Sequence, residues 1–123
     1  MIFTQLIKAN LSTNFLGREI EYYQRIGSTN EEAFELIEEG CDEGTIIVTD
    51  HQTSGKGRQG KSWFSAPGKG LAFSIILTPQ TPLSQSGLLS LAAGISVAQA
   101  IEQFGLELTL KWPNDILLNG KKC

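Results

Sequence analysis

The stretch EIEYYQRIGSTNEEAFELIEEGCDEGTIIVTD, residues 19–50, decides the fold class, because a strand, a helix and a second strand follow one another in it. Residues 19–26 are rich in aromatic and β-branched side chains, which favour a strand. Residues 45–50, TIIVTD, form a short apolar run that is typical of a buried strand. The segment between them predicts a helix, so strands and helices alternate along this part of the chain.

This first helix has sequence signals at both ends. Ser28 is followed by Glu31, and Thr29 by Glu32, at the spacing of the capping box that begins a helix. Both pairs fit, and the sequence does not choose between them. Gly40 is the type of residue that ends a helix, because glycine accepts the left-handed conformation found there.

The rest of the chain adds a second helix and further strands. Residues 71–79, LAFSIILTP, predict a strand. Residues 84–104 are apolar over much of a helical circumference, which predicts the main core helix, packed against a sheet. Residues 106–112, LELTLKW, alternate between apolar and polar, which predicts a strand with Trp112 facing the core. The order β-α-β-β-α-β-β favours an α+β fold with helices packed on a mixed or antiparallel sheet.

The C-terminal residues predict half of a hairpin. Pro113 interrupts the strand ladder, NDILL at residues 114–118 resumes it, and Asn119-Gly120 is a strong two-residue turn signal. Only residues 121–123 follow, too few to return along the preceding strand. We therefore expect an unpaired apolar strand edge and a chain that is a truncated piece of a longer one.

Composition excludes several classes of protein. The chain has 123 residues, 41% of them hydrophobic, which suits a single domain with a moderate core. Its net charge of −3 argues against a nucleic-acid partner, since such domains carry a basic excess. No apolar stretch reaches the roughly 18 residues of a membrane span, so we expect no membrane partner. Cys41 and Cys123 are isolated, without zinc-site spacing, which indicates free thiols in the reducing cytoplasm.

A long basic loop, TSGKGRQGKSWFSAPGKG at residues 53–70, separates two apolar runs. It holds five glycines and four cations and no acidic residue. Loops of this length are usually functional or disordered, and the large apolar pair Trp63-Phe64 argues against disorder. Glycines permit close backbone approach to a ligand, while the cations provide charge-assisted donors. The loop therefore predicts a lid that closes over a small anion.

The segment GKGRQGKS, residues 55–62, matches the phosphate-binding pattern G-x-x-x-x-G-K-[ST]. That motif works only where the Lys-Ser pair begins a helix, whose N-terminal amides hold the phosphates. Here WFSAPGKG follows, and Pro67, Gly68 and Gly70 prevent a useful helix. A P-loop nucleotidase is accordingly the least favoured interpretation.

Four segments in order resemble the successive motifs of biotin protein ligases: GSTNEEA, DHQTSGKGRQGKSWFS, LAFSIIL and KWPNDILLNGKK. The resemblance spans about residues 22–123, and four motifs together are far more specific than one. It implies a catalytic domain related to class II aminoacyl-tRNA synthetases and lipoate ligases. It also implies that biotin and ATP form biotinyl-5′-adenylate, from which biotin passes to one lysine of a carboxylase carrier domain, the activity of a biotin–[acetyl-CoA-carboxylase] ligase.

The resemblance also assigns biotin-binding residues. Ser28, Thr29 and Asn30 match a motif that hydrogen-bonds the ureido ring of biotin, although a plain helix cap is the alternative reading. Gln52 matches a position beside the same ring. The family's Arg-Gly-Arg-like segment reads Lys56-Gly57-Arg58 here, so the first member keeps its charge and loses bidentate geometry. Two cations are implied to act in catalysis, on the biotin carboxylate and then the phosphate: Arg58 and Lys122.

A second group of residues is implied to bind ATP: Lys61, Trp63, Lys111, Asn114 and Asp115. Among these, Asp115 is the candidate for Mg²⁺, which commonly bridges one carboxylate and substrate phosphates. Trp63 is equally well read as a core anchor for the loop. His51, the one histidine of the sequence, receives no catalytic role.

Three other functions stay open beside biotin ligation. They are lipoate or octanoyl ligation or transfer on the same fold, a non-catalytic module that binds biotin, and, least favoured, a P-loop nucleotidase. Residues 1–123 are expected to form a partial catalytic domain, without the small C-terminal barrel domain of the family and without a preceding DNA-binding domain. We expect this stretch alone to make little or no adenylate. The implied partner is a biotin carboxyl carrier domain, and a homodimer stays open.

Overall fold

A computed structural model describes residues 1–112 and 115–123. The chain divides into two compact units, Met1–Thr78 and Pro79–Cys123. The first unit contains α1 Thr4–Asn10, β1 Ile20–Tyr23, α2 Thr29–Glu38, β2 Ile46–Thr49 and β3 Ala72–Ile75. The second contains α3 Gly87–Glu102, β4 Leu108–Lys111, β5 Asp115–Leu118 and β6 Lys121–Lys122. Short 3₁₀ turns lie at Arg58–Gly60 and Leu83–Gln85.

The first unit contains a mixed sheet in the order β1-β2-β3. β1 runs parallel to β2, with α2 as the connection between them, and β2 runs antiparallel to β3. The register places Ile47 opposite Ser74. The predicted strand, helix, strand and strand of this region are therefore confirmed.

The core of the first unit centres on β2, whose Ile-Ile-Val-Thr sequence suits a strand covered on both sides. Ile47 is fully buried, and Ala33 of α2 and Ile76 pack with it. Burial alternates along β3 and the residue after it: Ser74 and Ile76 are buried, whereas Phe73 is 45% exposed. Ser74 is the one polar member of the face that Ala72, Ser74 and Ile76 share.

The second unit contains an antiparallel sheet in the order β4-β5-β6, with α3 packed on β4 and β5. Two expectations are corrected here. Within the described residues of this unit, Ala98 is the one buried residue of α3, so this helix does not form the main core. Trp112 is 69% exposed and not a core residue. The α+β fold class, with one mixed and one antiparallel sheet, is confirmed.

The predicted hairpin is present, but the expected unpaired edge is not. Asn119 and Gly120 have φ angles of 54° and 77°, as a two-residue hairpin turn requires. The three residues after the turn suffice to form β6, which pairs Lys121 with Leu118 and Lys122 with Leu117. β5 therefore lies between two strands. It also reverses relative to β4 rather than resuming it, with Lys111 opposite Asp115.

The N-terminal helix α1 was not predicted from sequence. It has seven residues, no capping side chain and no buried residue, so neither a cap nor an apolar periodicity indicates a helix here. In the described residues, no helix combines the length and the apolar character that crossing a membrane requires.

Candidate functional site

The chain segments that leave β1 and β2 run side by side, because the two strands are parallel. The Ile26 amide donates to the His51 carbonyl at 3.1 Å, and the Thr53 amide returns a hydrogen bond to the Ile26 carbonyl at 2.9 Å. The Ser54 amide donates to the Gly27 carbonyl at 2.8 Å. This pairing brings the first turn of α2 next to the beginning of the basic loop.

Four side chains form a hydrogen-bonded group at this point, which we name the polar cluster: Thr29, Asn30, Gln52 and Ser74. The Gln52 side-chain oxygen accepts from the Thr29 amide at 2.8 Å and from the Thr29 hydroxyl at 3.1 Å. The Ser74 hydroxyl lies 2.8 Å from the Thr29 hydroxyl and 2.5 Å from Asn30 Oδ1. Three predicted binding residues are thus brought together, with one addition from β3.

The first turn of α2 resolves the two capping alternatives. Ser28 is the N-cap, and its hydroxyl accepts from the Glu31 amide at 3.5 Å. The Thr29 side chain is therefore not used as a cap and bonds Gln52 instead. Ser28 and Thr29 are only 6% and 3% exposed. Ser28 thus caps the helix while its neighbour Thr29 belongs to the polar cluster.

The basic loop begins with a small closed structure rather than an open coil. The Trp63 amide donates to the Gly55 carbonyl at 2.8 Å, and the Gly57 amide to the Lys61 carbonyl at 2.6 Å. The turn at its tip is tightened by Gln59 and Gly60, both at positive φ. In the described structure no helix begins at Lys61-Ser62, and residues 62–71 are non-helical, so the condition for a phosphate-binding P-loop is not met.

The cations of this loop differ in their partners. Lys56 pairs with Glu31 of the first turn of α2. Arg58 and Lys61 are exposed and make no ion pair with residues that the structure describes. Trp63 is 42% exposed, and both interpretations of this residue stay predictions. Gly57, assigned to biotin, lies within the closed structure.

The second unit holds the other predicted residues. Lys122 Nζ lies 3.2 Å from Asp115 Oδ1, across the β5–β6 hairpin. Asn114 is outside the described residues. A pocket of about 170 Å³ opens between α3 and the sheet, and the residues that line it are Ser90, Leu91, Gly94, Leu110, Lys111, Trp112 and Asp115.

Two tyrosines of β1 are held by carboxylates. The Tyr23 hydroxyl donates to Glu32 at 2.8 Å, and burial together with this bond raises the pKa of Tyr23 to about 12. The hydrogen bond from Tyr22 to Asp50 raises the pKa of Tyr22 as well. His51 Nδ1 is buried without a hydrogen-bond partner among the described residues.

The model of the biotin/lipoate A/B protein ligase family matches residues 22–123. The chain belongs to this family. The resemblance to biotin protein ligases that the four motifs indicated is confirmed.

Individual relatives support the family assignment. The chain is 42% identical over 117 residues to the bifunctional ligase/repressor BirA of Bacillus subtilis, covering 94% of this chain and 36% of that protein. It is 35% identical over 111 residues to the biotin–[acetyl-CoA-carboxylase] ligase of Mycobacterium tuberculosis, covering 85% of this chain and 42% of that protein. The chain thus spans well under half of these curated relatives.

A solved structure gives the same fold. The biotin protein ligase from Aquifex aeolicus in complex with biotin and ATP superposes with a TM-score of 0.69 at 37% identity. The match covers 85% of this chain and 44% of that one. The chain therefore has the fold of the biotin/lipoate ligase catalytic domain, as the sequence predicted.

Ser74 is the residue of the polar cluster that the sequence prediction missed. A usable signal was present, because Ser74 is the polar residue on the buried face of an otherwise apolar strand, LAFSIIL. A buried hydroxyl without a partner is costly, so its partner had to come from elsewhere in the fold.

Proposed function

We propose that this chain is part of a biotin protein ligase, which activates biotin with ATP to biotinyl-5′-adenylate and transfers biotin to a lysine of a biotin carboxyl carrier domain. The polar cluster carries the proposal. Its hydrogen-bonding groups lie beside a loop rich in cations, which suits a ligand with a polar ring at one end and a carboxylate at the other. Biotin has this construction.

The proposed chemistry needs positioning and charge neutralisation more than acid–base catalysis. The carboxylate of biotin attacks the α-phosphate of ATP, a carboxyl–phosphate bond forms, and pyrophosphate leaves. Both reactants are anions, so cations must hold them together. Arg58, which has no ion-pair partner among the described residues, and Lys122 are the proposed catalytic residues. A closed loop would keep water from the mixed anhydride.

Nucleotide binding is proposed for Lys61, Trp63, Lys111, Asn114 and Asp115. The pocket beside Lys111 and Asp115 supports this, because it combines apolar walls with one cation and one carboxylate. Within the described residues, no group of three metal-binding side chains exists. Asp115 therefore fits Mg²⁺ only as one carboxylate beside the phosphates of ATP, whose charge the ion would neutralise.

The decisive assay is biotin-dependent exchange of pyrophosphate into ATP by the intact gene product, with lipoate and octanoate as competing substrates. We expect exchange with biotin and no exchange with lipoate or octanoate. Exchange with lipoate and not biotin would replace the proposal with lipoate ligation. Tight biotin binding without exchange would support the non-catalytic module.

Arg58 is tested in the same assay through release of biotinyl-adenylate. A charge-assisted contact is worth about ten- to a hundredfold in retention, so Arg58→Ala should release the adenylate that much faster. Lys69→Ala is the matched control, a cation of the same loop without an assigned role. Equal release from both variants would remove Arg58 from the site.

The partner and the location are proposed from the same evidence of family and composition. The carrier domain is expected to present one lysine, and label transfer from biotin to a purified carrier domain measures this directly. Cys41 and Cys123 are both free thiols, which supports the cytoplasm. A homodimer stays a proposal, and sedimentation of the intact gene product tests it.

A further inference from the structure

The hydroxyl of Ser74 occupies a position that the proposed ligand chemistry does not account for. Ser74 lies on the buried face of β3, only 9% exposed, opposite the fully buried Ile47. A serine hydroxyl at such a position loses its hydrogen bonds to water, and only hydrogen bonds within the protein can offset that loss. Its two neighbours are Thr29 at 2.8 Å and Asn30 at 2.5 Å, both from the first turn of α2.

The hydrogens of the polar cluster can be assigned, because each hydroxyl has one. The Thr29 hydroxyl donates its hydrogen to Gln52 Oε1, so Thr29 Oγ1 can only accept from Ser74. The Ser74 hydrogen is then shared between Thr29 Oγ1 and Asn30 Oδ1. Among the described residues, Ser74 is the one donor to the Asn30 amide oxygen.

This assignment of hydrogens determines the orientation of the side-chain amides of Gln52 and Asn30. Gln52 accepts two hydrogen bonds through Oε1, and Asn30 accepts one through Oδ1. The NH₂ group of each amide is thereby directed away from the cluster, as a donor. Asn30 is an exposed residue, so without a donor at its oxygen the amide would rotate freely.

We propose that Ser74 is a positioning residue for substrate binding: from β3, it orients the Asn30 amide and the Thr29 hydroxyl at the start of α2, so that they present fixed hydrogen-bonding groups to the ligand. The ligand class rests on the proposed function, namely biotin. Ser74 acts through Thr29 and Asn30 and need not touch the ligand. Ser74 is far from Thr29 and Asn30 in sequence and meets them only through the packing of β3 against α2. A change in that packing should therefore change the affinity for the substrate.

The test separates positioning from a general loss of stability. In the intact gene product, Ser74→Ala should weaken biotin binding about tenfold, the equivalent of one net hydrogen bond, and leave the KM for ATP unchanged. Ser96→Ala is the matched control, since the exposed Ser96 hydroxyl bonds only the Ala92 carbonyl of its own helix at 2.8 Å. A uniform loss for both substrates would mean that Ser74 is merely structural.

Two further measurements keep the proposal decidable. Ser74→Cys is nearly isosteric with a weaker donor, so it should fold even where Ser74→Ala does not and should show the same selective loss in smaller measure. In an Asn30→Ala background, Ser74→Ala should lose most of its effect on biotin, because the two act as a unit. Additive effects would overturn the coupling.

A ligand-free measurement distinguishes this proposal from the proposed function. The side-chain NH₂ resonances of Asn30 in unliganded protein should move towards those of a mobile amide in Ser74→Ala and stay unchanged in Ser96→Ala. Should the wild type fail to bind biotin while these resonances still respond, the function is wrong and the positioning stands. Should biotin bind the wild type and Ser74→Ala alike, with unaltered resonances, the positioning is wrong.

Discussion

Gly55 is a glycine because the space around it, and not its backbone angle, excludes a side chain. A Cβ placed there would lie 2.7 Å from the Trp63 carbonyl oxygen and 3.0 Å from Gln52 Nε2. The first atom belongs to the backbone that closes the loop, and the second to the polar cluster. One missing methyl group thus lets the loop close against the predicted binding residues.

We expect Gly55→Ala to destabilise the protein by about 1–3 kcal/mol, the usual cost of overpacking a tight site. Gly57→Ala is the control, because a Cβ there meets nothing closer than the Lys61 carbonyl at 3.5 Å. Urea unfolding of both variants measures the difference in the free energy of unfolding. Equal losses in the two variants would show that the contact with the Trp63 carbonyl does not set the cost, because the entropy change of the unfolded chain on replacing glycine by alanine is stabilising and common to both positions.

The raised pKa of Tyr23 predicts that the free energy of unfolding depends on pH in the alkaline range. Its pKa is about 12 in the folded protein and 10.0 in the unfolded chain, so the neutral phenol stabilises the fold. This contribution is complete below pH 10 and disappears as the pH rises from 10 to 12, because the unfolded chain loses its proton first. Stability should therefore fall across that window.

Tyr23→Phe should remove this share of the pH dependence. The variant lacks the hydrogen bond to Glu32 and should be about 1 kcal/mol less stable than the wild type at pH 8. Between pH 8 and pH 11 it should lose less stability than the wild type does. Urea unfolding at the two pH values provides the comparison with wild type. Parallel losses in wild type and variant would show that Tyr23 does not titrate in the fold as described.

Among the structural elements, the basic loop has the clearest functional consequence. Its first part is closed by backbone hydrogen bonds, yet the trypsin-sensitive residues Lys56, Arg58 and Lys61 are all exposed. Lys56 is held by Glu31, an exposed ion pair worth little in water, so an anionic ligand can displace it. We therefore expect the loop to rearrange around an anionic ligand.

Biotin or its adenylate should protect this loop from proteolysis. We expect trypsin to cut after Lys56, Arg58 and Lys61 more slowly once ligand is added, because closed backbone is a poor protease substrate. Cleavage after Lys8 in α1, which has no assigned role, serves as the internal control. The fragments are quantified by mass spectrometry, and equal rates at all sites with and without ligand would contradict the lid.

At the scale of the whole chain, the distribution of charge predicts the class of partner. The net charge is −3, and four of the ten cations lie in residues 53–70. We expect such a chain to attract one small anion locally and to repel an extended polyanion, whose binding requires many phosphate contacts.

Residues 1–123 should consequently not bind duplex DNA, even at low salt. A gel-shift titration with a mixed-sequence duplex measures this, and the isolated basic loop as a peptide is the control for local charge. Retardation of the duplex that weakens steeply with salt would contradict the expectation, because such a slope reports phosphate contacts.

Local sequence by itself determined the helices and strands with strong signals. The cap at Ser28, the stop at Gly40 and the positive-φ pair Asn119-Gly120 depend on neighbours within a few residues, so they can be read without a structure. The four motifs likewise suffice to identify the ligase family, because each is a short local string of residues. Helix α1, short and uncapped, offered no such local signal.

Tertiary structure alone decided which residues meet. Ser74 reaches Thr29 and Asn30 across 45 and 44 residues of sequence, a contact that follows from the antiparallel pairing of β3 with β2. The reversal that pairs β4 with β5 and the exposure of Trp112 were likewise mispredicted. The physical reason is common to these cases: alternation fixes which side chains share a face, whereas strand direction and burial depend on what packs against that face.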